Sequence, residues 1–194
     1  MKKTLFTLLF SAAVWGANAQ TTWNLDNSHT NVKFSVTHMV VSEVEGYFKT
    51  YTGKVVTNSA DFNGANIDFS VDVNSINTDN TDRDKHLMSD DFFNAEKYPK
   101  MTFKSTSFKK ISGNKYELVG DLTIRDVTKK VTFEVTFGGI AKDPWGNTKA
   151  GFKAKGKINR KDYKLMWNVL TEAGGMVVSD EVEIVINLEL AQAK

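Results

Sequence analysis

Apolar and polar residues alternate along eight separate segments of this 194-residue chain, and this pattern constrains the fold more than any other feature. In the last segment, for example, Val182, Ile184 and Ile186 alternate with charged or polar neighbours. A period of two indicates strands with one buried and one solvated face, which is typical of antiparallel sheets. The predicted strands are 32–38, 44–55, 67–73, 101–105, 115–124, 130–137, 149–158 and 181–190.

Eight antiparallel strands can close into a barrel or stack as a sandwich of two sheets. Glycines inside the predicted strands favour the barrel, because sharply bent strands need them. These glycines are Gly46, Gly53, Gly120, Gly151 and Gly156. The apolar parity shifts within the second strand, which predicts a bulge near Thr50. The expected fold class is therefore all-β, an eight-stranded antiparallel barrel.

One segment, 75–99, interrupts the alternation between the third and fourth strands. Residues 80–88 have the composition of a short polar helix, and Ser89 is placed to cap a second turn through Phe93. Tyr98-Pro99 ends the segment. This short helical excursion is too long for a hairpin loop, and long ordered loops are often functional. A lid that merely plugs one barrel end is the alternative.

The inward faces of the predicted strands combine phenylalanine and branched aliphatic residues with small ones. The small inward residues are Gly46, Ala150, Ala154 and Gly156. Small residues opposite large ones leave room for a slot-like cavity, and an apolar cavity suits a hydrocarbon chain. The alternative is a filled core in which small residues only fit the taper of the barrel.

The first 19 residues are predicted to be a secretory signal peptide, with Lys2 and Lys3, a short apolar run and Ala17-Asn18-Ala19 before the cleavage site. The apolar run falls short of the roughly 20 residues that a spanning helix needs. Residues 20–194 then form one exported domain, periplasmic or secreted. Without Lys2 and Lys3 this domain has 23 basic and 23 acidic residues, a balance that argues against nucleic-acid binding. The chain has no cysteine, which excludes thiol chemistry.

No catalytic or metal-binding motif stands out. The three histidines, His29, His38 and His86, lack the short spacings of common metal pairs. Five aspartates of the helical excursion could supply a glycosidase-type acid pair, although a solvated, salt-bridged helix explains them more simply. They are Asp79, Asp82, Asp84, Asp90 and Asp91. Arg83 beside His86 could bind an anionic head group, or Arg83 could instead pair with Asp79.

Several ordered blocks of sequence resemble those of the YceI-like proteins, an exported family of polyisoprenoid-binding, lipocalin-like barrels. The resemblance covers residues 23–189. One difference lies after Leu122-Thr123-Ile124, where many relatives have glycine in the turn and this chain has Asp126. The blocks are Trp23-x-Leu25-Asp26-x-x-His29-Thr30, Val32-x-Phe34-x-Val36-x-His38-Met39, Val44-x-Gly46-x-Phe48, Arg83-Asp84-x-His86-Leu87-Met88-Ser89-x-Asp91-Phe92-Phe93, Asn159-Arg160-x-Asp162-Tyr163 and Trp167-Asn168.

The resemblance implies a protein that binds and sequesters or transports a long-chain isoprenoid lipid, of the polyprenyl or quinone type, in the cell envelope. It implies no catalytic residue, no metal and no required cofactor beyond the bound lipid. Transient membrane contact and a homodimer are compatible with this function. An envelope hydrolase using the acidic loop and a ligand-free structural barrel are the alternatives. The candidate ligand-binding residues are Phe34, Val36, His38, Phe48, Phe69, Arg83, His86, Leu87, Phe92, Phe103, Phe133, Phe152 and Trp167.

Overall fold

The computed structural model describes residues 20–169 and 176–194, so the predicted signal peptide lies outside the described residues. Within these ranges eleven strands form one antiparallel sheet with one α-helix, α1 (Thr81–Met88), and two 3₁₀ turns, Val73–Ser75 and Arg160–Tyr163. The strands are β1 (Thr21–Leu25), β2 (Asn31–His38), β3 (Ser42–Phe48), β4 (Tyr51–Thr57), β5 (Asn66–Asp72), β6 (Ile76–Asn77), β7 (Lys100–Ser112), β8 (Lys115–Ile124), β9 (Val127–Lys142), β10 (Thr148–Asn159) and β11 (Val178–Gln192).

The eleven strands make eight staves of a closed barrel, because three staves are each interrupted once. The first stave consists of β1 and β2, which both pair with β11. The second consists of β3, which pairs with β2, and β4, which pairs with β1. The third consists of β5, which pairs with β4, and β6, which pairs with β3. Each stave lies beside the next along the chain, and the last pairs with the first. The predicted eight-stranded antiparallel barrel is confirmed. The second stave breaks between Phe48 and Tyr51, where the sequence pattern changes parity.

The first stave begins at Thr21, earlier than the predicted start at Val32, because β1 and β2 are separated by a loop that hid the alternation. The helix in the excursion is confirmed. Asn80 caps it by accepting a hydrogen bond from the Arg83 amide at 2.9 Å. After the helix, the predicted second turn is present, since the Ser89 carbonyl accepts hydrogen bonds from the amides of Phe92 and Asn94.

Chain connections alternate between the two barrel ends, as they must when each stave pairs with the next. The β2–β3 hairpin, α1, the β8–β9 turn and the segment between β10 and β11 therefore share one end, which we call the mouth. The 58–65 loop and the β7–β8 and β9–β10 hairpins share the opposite, closed end.

Aromatic side chains fill the barrel at the closed end. Phe62, only 1% exposed, lies 5.1 Å from the Trp23 ring, 5.6 Å from Phe137 and 5.0 Å from Phe152, measured between ring centroids. The hydroxyl of Tyr116 donates a 2.6 Å hydrogen bond to the carbonyl of Asp61, which fixes the loop beside Phe62. These contacts seal one end of the barrel and leave the interior open towards the mouth.

Candidate functional site: an apolar cavity

A cavity of about 540 Å³ occupies the mouth half of the barrel, a size within the usual range of ligand pockets. Its lining runs along β11 from Val178 to Leu188, and since the pairing with β2 is irregular between Val178 and Val182, this stretch corresponds to about 26 Å of regular strand. With the usual barrel tilt of about 40°, the cavity is about 20 Å deep. Most lining residues are aliphatic or aromatic, and the polar ones include Thr78, Asp82 and Arg83.

Four phenylalanine rings lie against glycines of the inner wall, and this packing keeps the cavity open. At each glycine the ring occupies the space where a Cβ atom would be, at distances between 2.3 and 2.7 Å from that position. A ring that covers a glycine lies along the wall instead of projecting across the lumen. The pairs are Phe34 with Gly46, Phe69 with Gly53, Phe103 with Gly120 and Phe133 with Gly156.

The predicted combination of small and large inward residues is thus present, and Gly46, Gly156 and Ala154 lie at the cavity or beneath its rings. Ala150 is different: it is 1% exposed and packs in the aromatic core of the closed end. The predicted inward position of Ala150 is confirmed. Alternation identifies the inward face of a strand and not the height of a residue along the barrel, so it could not show that Ala150 lies below the cavity.

The structure brings all but one of the candidate ligand-binding residues together in the lining of this cavity. The exception is Phe152, whose ring lies 4.9 Å from Phe137 and 5.0 Å from Phe62 in the closed end. It faces inward as predicted, yet β10 carries it below the cavity floor, next to an irregularity in pairing between Gly151 and Phe152. The role of the other residues in binding a ligand stays a prediction.

Arg83 is held at the cavity by Thr78 rather than by Asp79, the alternative partner expected from the sequence. Its Nε donates to the Thr78 hydroxyl at 2.7 Å and its Nη2 to the Thr78 carbonyl at 2.6 Å. Asp84 in turn accepts from the Thr78 amide and hydroxyl. Within the described ranges no hydrogen bond is made by Arg83 Nη1, so this side chain has a donor to offer at the cavity wall. Asp79 instead accepts from the Tyr47 hydroxyl.

His86 joins the helix to the opposite wall of the mouth. Its Nε2 lies 2.8 Å from a carboxylate oxygen of Asp91, and its ring meets Phe92 and Trp167 edge-on, each at 5.1 Å between centroids. Phe92 and Trp167 are 5.4 Å apart. The three rings form a continuous aromatic contact between the excursion after α1 and the segment that precedes β11.

Arg160 fixes this second segment from below, a role that sequence reasoning did not assign. Only 4% exposed, its guanidinium donates to the carbonyls of Leu165, Trp167, Val178 and Ser179. Burial lowers the pKa of Arg160. The sequence feature that could have indicated this role is the position of Arg160 in a family block, directly after the alternating residues of β10. The apolar residues of β11 were likewise recognised as inward, and Ile184, Ile186 and Leu188 do line the cavity.

The acidic residues of the excursion do not form a buried pair. Asp79, Asp82, Asp90 and Asp91 are exposed and Asp84 is half-buried. Asp90 accepts from Arg125 at 2.9 Å, and Asp84 and Asp91 have the partners given above. Most of these carboxylates therefore act as local structural contacts.

Asp26, His29 and Glu189 bring possible metal-ligating atoms within 4.8 Å of one another. The ammonium of Lys149 already occupies this cluster, hydrogen-bonded to Asp26 and 3.3 Å from Glu189. Its hydrogen bond holds the pKa of Asp26 well below the ordinary value. Among the described residues, no helix has the length and apolarity needed to cross a membrane.

Comparison with known proteins gives the family. The profile of the YceI-like domain matches residues 23–190. Protein YceI of Escherichia coli O6:H1 is 37% identical over 198 aligned residues, which cover all of this chain and all of the relative. The chain belongs to the YceI family. The resemblance seen in the sequence blocks is confirmed, and the departure at Asp126 leaves the β8–β9 turn intact.

Solved structures of YceI-like folds agree with the barrel. The YceI protein of Campylobacter jejuni is 35% identical, with a TM-score of 0.70 over 88% of this chain and 97% of that chain. A polyisoprenoid binding domain from Saccharophagus degradans, implicated in plant cell wall breakdown, has a TM-score of 0.66 over 88% of this chain and 98% of that one. At 16% identity the second likeness concerns the fold alone.

Proposed function

We propose that this YceI-family protein is a carrier that sequesters or transports a long-chain isoprenoid lipid, of the polyprenyl or quinone type, and that it is not an enzyme. The single observation that supports this most is the deep apolar cavity, kept open by phenylalanine rings that lie on glycines. The Saccharophagus domain of the same fold is described as binding polyisoprenoid.

The cavity chemistry favours a hydrocarbon chain. Each methylene group moved from water into an apolar site gains about 0.8 kcal/mol, so a long chain has a strong drive to enter. Affinities saturate well below the sum of such gains because binding also costs entropy. Methyl-branched chains suit a lumen bounded by rings and branched aliphatic side chains.

Polar groups near the mouth would hold the other end of the lipid. Arg83 and His86 lie at the lining, and a guanidinium with an available N–H is suited to a phosphate or a quinone oxygen. The hydrocarbon would then extend towards Phe133 and Ala154, with the head group at the helix.

We propose that this function is carried out in the envelope, in the periplasm or outside the cell, and the predicted signal peptide at residues 1–19 supports this part of the proposal. There a lipid of this kind must cross water between membranes, which requires a container. This location is part of the proposal.

Native mass spectrometry of protein purified from isoprenoid-producing cells tests the proposal. We expect a lipid adduct on the wild type that an organic extraction removes and that an all-trans polyprenol restores. Ile184→Trp should reduce the adduct, because Ile184 lines the lumen. Val185→Trp is the matched control, since the adjacent residue of β11 points to the outer face.

Absence of any lipid adduct, before and after polyprenol addition, would contradict the proposal and favour a structural barrel without ligand. An adduct equally abundant in Ile184→Trp and Val185→Trp would show that the lipid lies outside the lumen.

A further inference from the structure

The tip of the β2–β3 hairpin exposes three apolar side chains beside the mouth. Met39, Val40 and Val41 are 47%, 77% and 83% exposed. Val169 and Met176, on the segment before β11, are 51% and 39% exposed at the same end of the barrel. We call these five residues the mouth rim. Exposed large apolar side chains that cluster at one place on a surface indicate an interaction site.

The backbone of the hairpin tip is unfavourable for the residues that it carries. Met39 has a φ angle of 51° and Val40 one of 64°, both in the left-handed region. Two consecutive left-handed residues are the requirement of a type I′ turn, for which Asn-Gly is the preferred sequence. A β-branched valine in this conformation is a genuine outlier. The hairpin thus presents apolar side chains in a turn where smaller residues would be more stable, which associates the tip with function.

The mouth rim is continuous with the cavity lining. The Met39 amide donates to the Val177 carbonyl at 2.9 Å, and the Val177 amide donates to the Val169 carbonyl at 3.0 Å. Val177 itself lines the cavity, as does His38, which immediately precedes the tip. An apolar path therefore leads from the lumen to the exposed side chains with no charged residue between them along the hairpin.

We propose that the mouth rim inserts into the headgroup–acyl boundary of a lipid bilayer and sets the mouth against the membrane. This inference rests on the proposed function, since a hydrocarbon that leaves the cavity at this rim would pass into the bilayer without crossing water. Apolar faces of interfacial elements bury to a depth of roughly 5–10 Å, and we expect a similar depth for this hairpin tip.

The charge around the tip indicates what kind of membrane contact this is. The first charged residue after the tip is Glu43, and the last one before it is Lys33. A polybasic cluster, which would attract the protein to anionic lipids, is absent from this hairpin. We therefore expect insertion of the tip to be driven by apolar burial rather than by attraction to anionic lipid.

A second copy of the chain is a less suitable occupant. Stable protein interfaces use about 20–30 residues on each side, far more than the five of the rim. A projecting hairpin tip also fits a soft, deformable layer better than a rigid surface.

Flotation with uncharged phosphatidylcholine vesicles tests the inference on full-length mature protein. The test variant is Met39→Asn, Val40→Gly and Val41→Ser together, which removes the apolar tip and supplies the preferred turn sequence. The matched control is Ile111→Ser, since Ile111 is 58% exposed near the β7–β8 hairpin at the closed end. We expect vesicle binding to fall about tenfold or more in the triple variant, as the loss of two buried valines implies, and to stay at the wild-type level in the control.

Thermal unfolding shows whether a loss of vesicle binding in the triple variant comes from misfolding. We expect its melting temperature to stay the same or rise, because Asn-Gly suits this turn. Native mass spectrometry should show an unchanged lipid adduct, while transfer of that lipid to vesicles slows. Vesicle binding without any adduct would overturn the proposed function and leave this inference standing.

Three results would overturn the inference itself. The first is a wild type that does not float with vesicles, or a triple variant that floats as well as Ile111→Ser. The second is binding that needs anionic lipid and disappears with salt. The third is a dimer, seen by analytical ultracentrifugation, that the triple variant dissociates, since the rim would then be a self-association surface.

Discussion

Replacing Gly53 with alanine tests how the barrel keeps its interior open. Gly53 lies directly opposite Phe69 in the β4–β5 pairing. A Cβ atom at Gly53 would be 2.7 Å from Cδ2 and 3.1 Å from Cε2 of the Phe69 ring. Unstrained carbon atoms need about 3.5–4.0 Å, so the ring must move away from the wall by about 1 Å, into the lumen.

The magnitude follows from two opposing effects. Forcing an extra methyl group into a packed site costs about 1–3 kcal/mol. Glycine-to-alanine replacement in an unstrained strand gains about 0.4–1 kcal/mol, mainly from the unfolded chain. We therefore expect Gly53→Ala to lower the free energy of unfolding by about 0.5–2 kcal/mol, or a few degrees in melting temperature for a domain of this size. Retention of a long lipid should fall as well, because the displaced ring narrows the lumen.

Urea unfolding of lipid-free protein is the assay, with Gly151→Ala as the matched control. A Cβ atom at Gly151 meets nothing within 4 Å, so this variant should be neutral or slightly stabilised. Adding Phe69→Leu to Gly53→Ala should relieve the clash, with a coupling of about 1 kcal/mol in the double-mutant cycle. If Gly53→Ala is as stable as Gly151→Ala and shows no coupling to Phe69, the ring is not held on the wall and our explanation of the cavity is wrong.

Three further predictions concern the two ends of the barrel. Phe62→Ala should lower the free energy of unfolding, measured by calorimetry, by about 3–5 kcal/mol. Phe62→Gly should lower it by about 1 kcal/mol less, since residue 62 has a φ of 62° that glycine adopts without strain, and an alanine variant more stable than the glycine variant would contradict this. Hydrogen bonding from Ser59 lowers the pKa of Asp61 to about 2, so the stabilisation by this carboxylate is present above the unfolded value of 3.8 and is lost as the pH falls towards 2. Asp61→Asn should lower the free energy of unfolding at pH 7 by no more than about 1 kcal/mol, because Asp61 is partly exposed, and should flatten the acid unfolding curve between pH 3.8 and 2. An unchanged pH profile would refute the shift. Arg160→Met should lower the free energy of unfolding by at least about 3 kcal/mol, because it leaves buried carbonyls without donors. It should also broaden the tryptophan emission, to which Trp167 contributes together with Trp23 and Trp145. A stable variant with unchanged emission would remove the structural role of Arg160.

Local alternation was sufficient to predict the wall of the barrel but not the position of each residue along its axis. Whether a side chain faces in or out depends on neighbouring residues, so Phe34, Phe69 and Phe133 were assigned correctly to the lumen. The height of a residue depends on the stagger of all eight staves, which no single segment encodes. Phe152 was misplaced for this reason, since it faces inward but packs in the closed end.

Residues outside the strands were the hardest to predict. Phe62, which seals the closed end, sits in a loop with a left-handed φ angle, a conformation that sequence patterns do not indicate for phenylalanine. Arg160 looked like an ordinary surface cation after a strand, yet it is buried because four carbonyl groups converge on it. Both roles arise from contacts between segments far apart in the chain.

Phe62 closes the base of the barrel, so among the described residues the cavity opens at the mouth. A lipid bound as we propose would therefore enter and leave through the same opening. The closed base then limits the length of hydrocarbon that the cavity holds, and a longer lipid would keep its remaining length, together with its head group, outside the protein. Lipids of different length would all reach the closed base and would differ in the length that protrudes from the mouth. A membrane or protein that receives the lipid would meet this difference before the lipid is released.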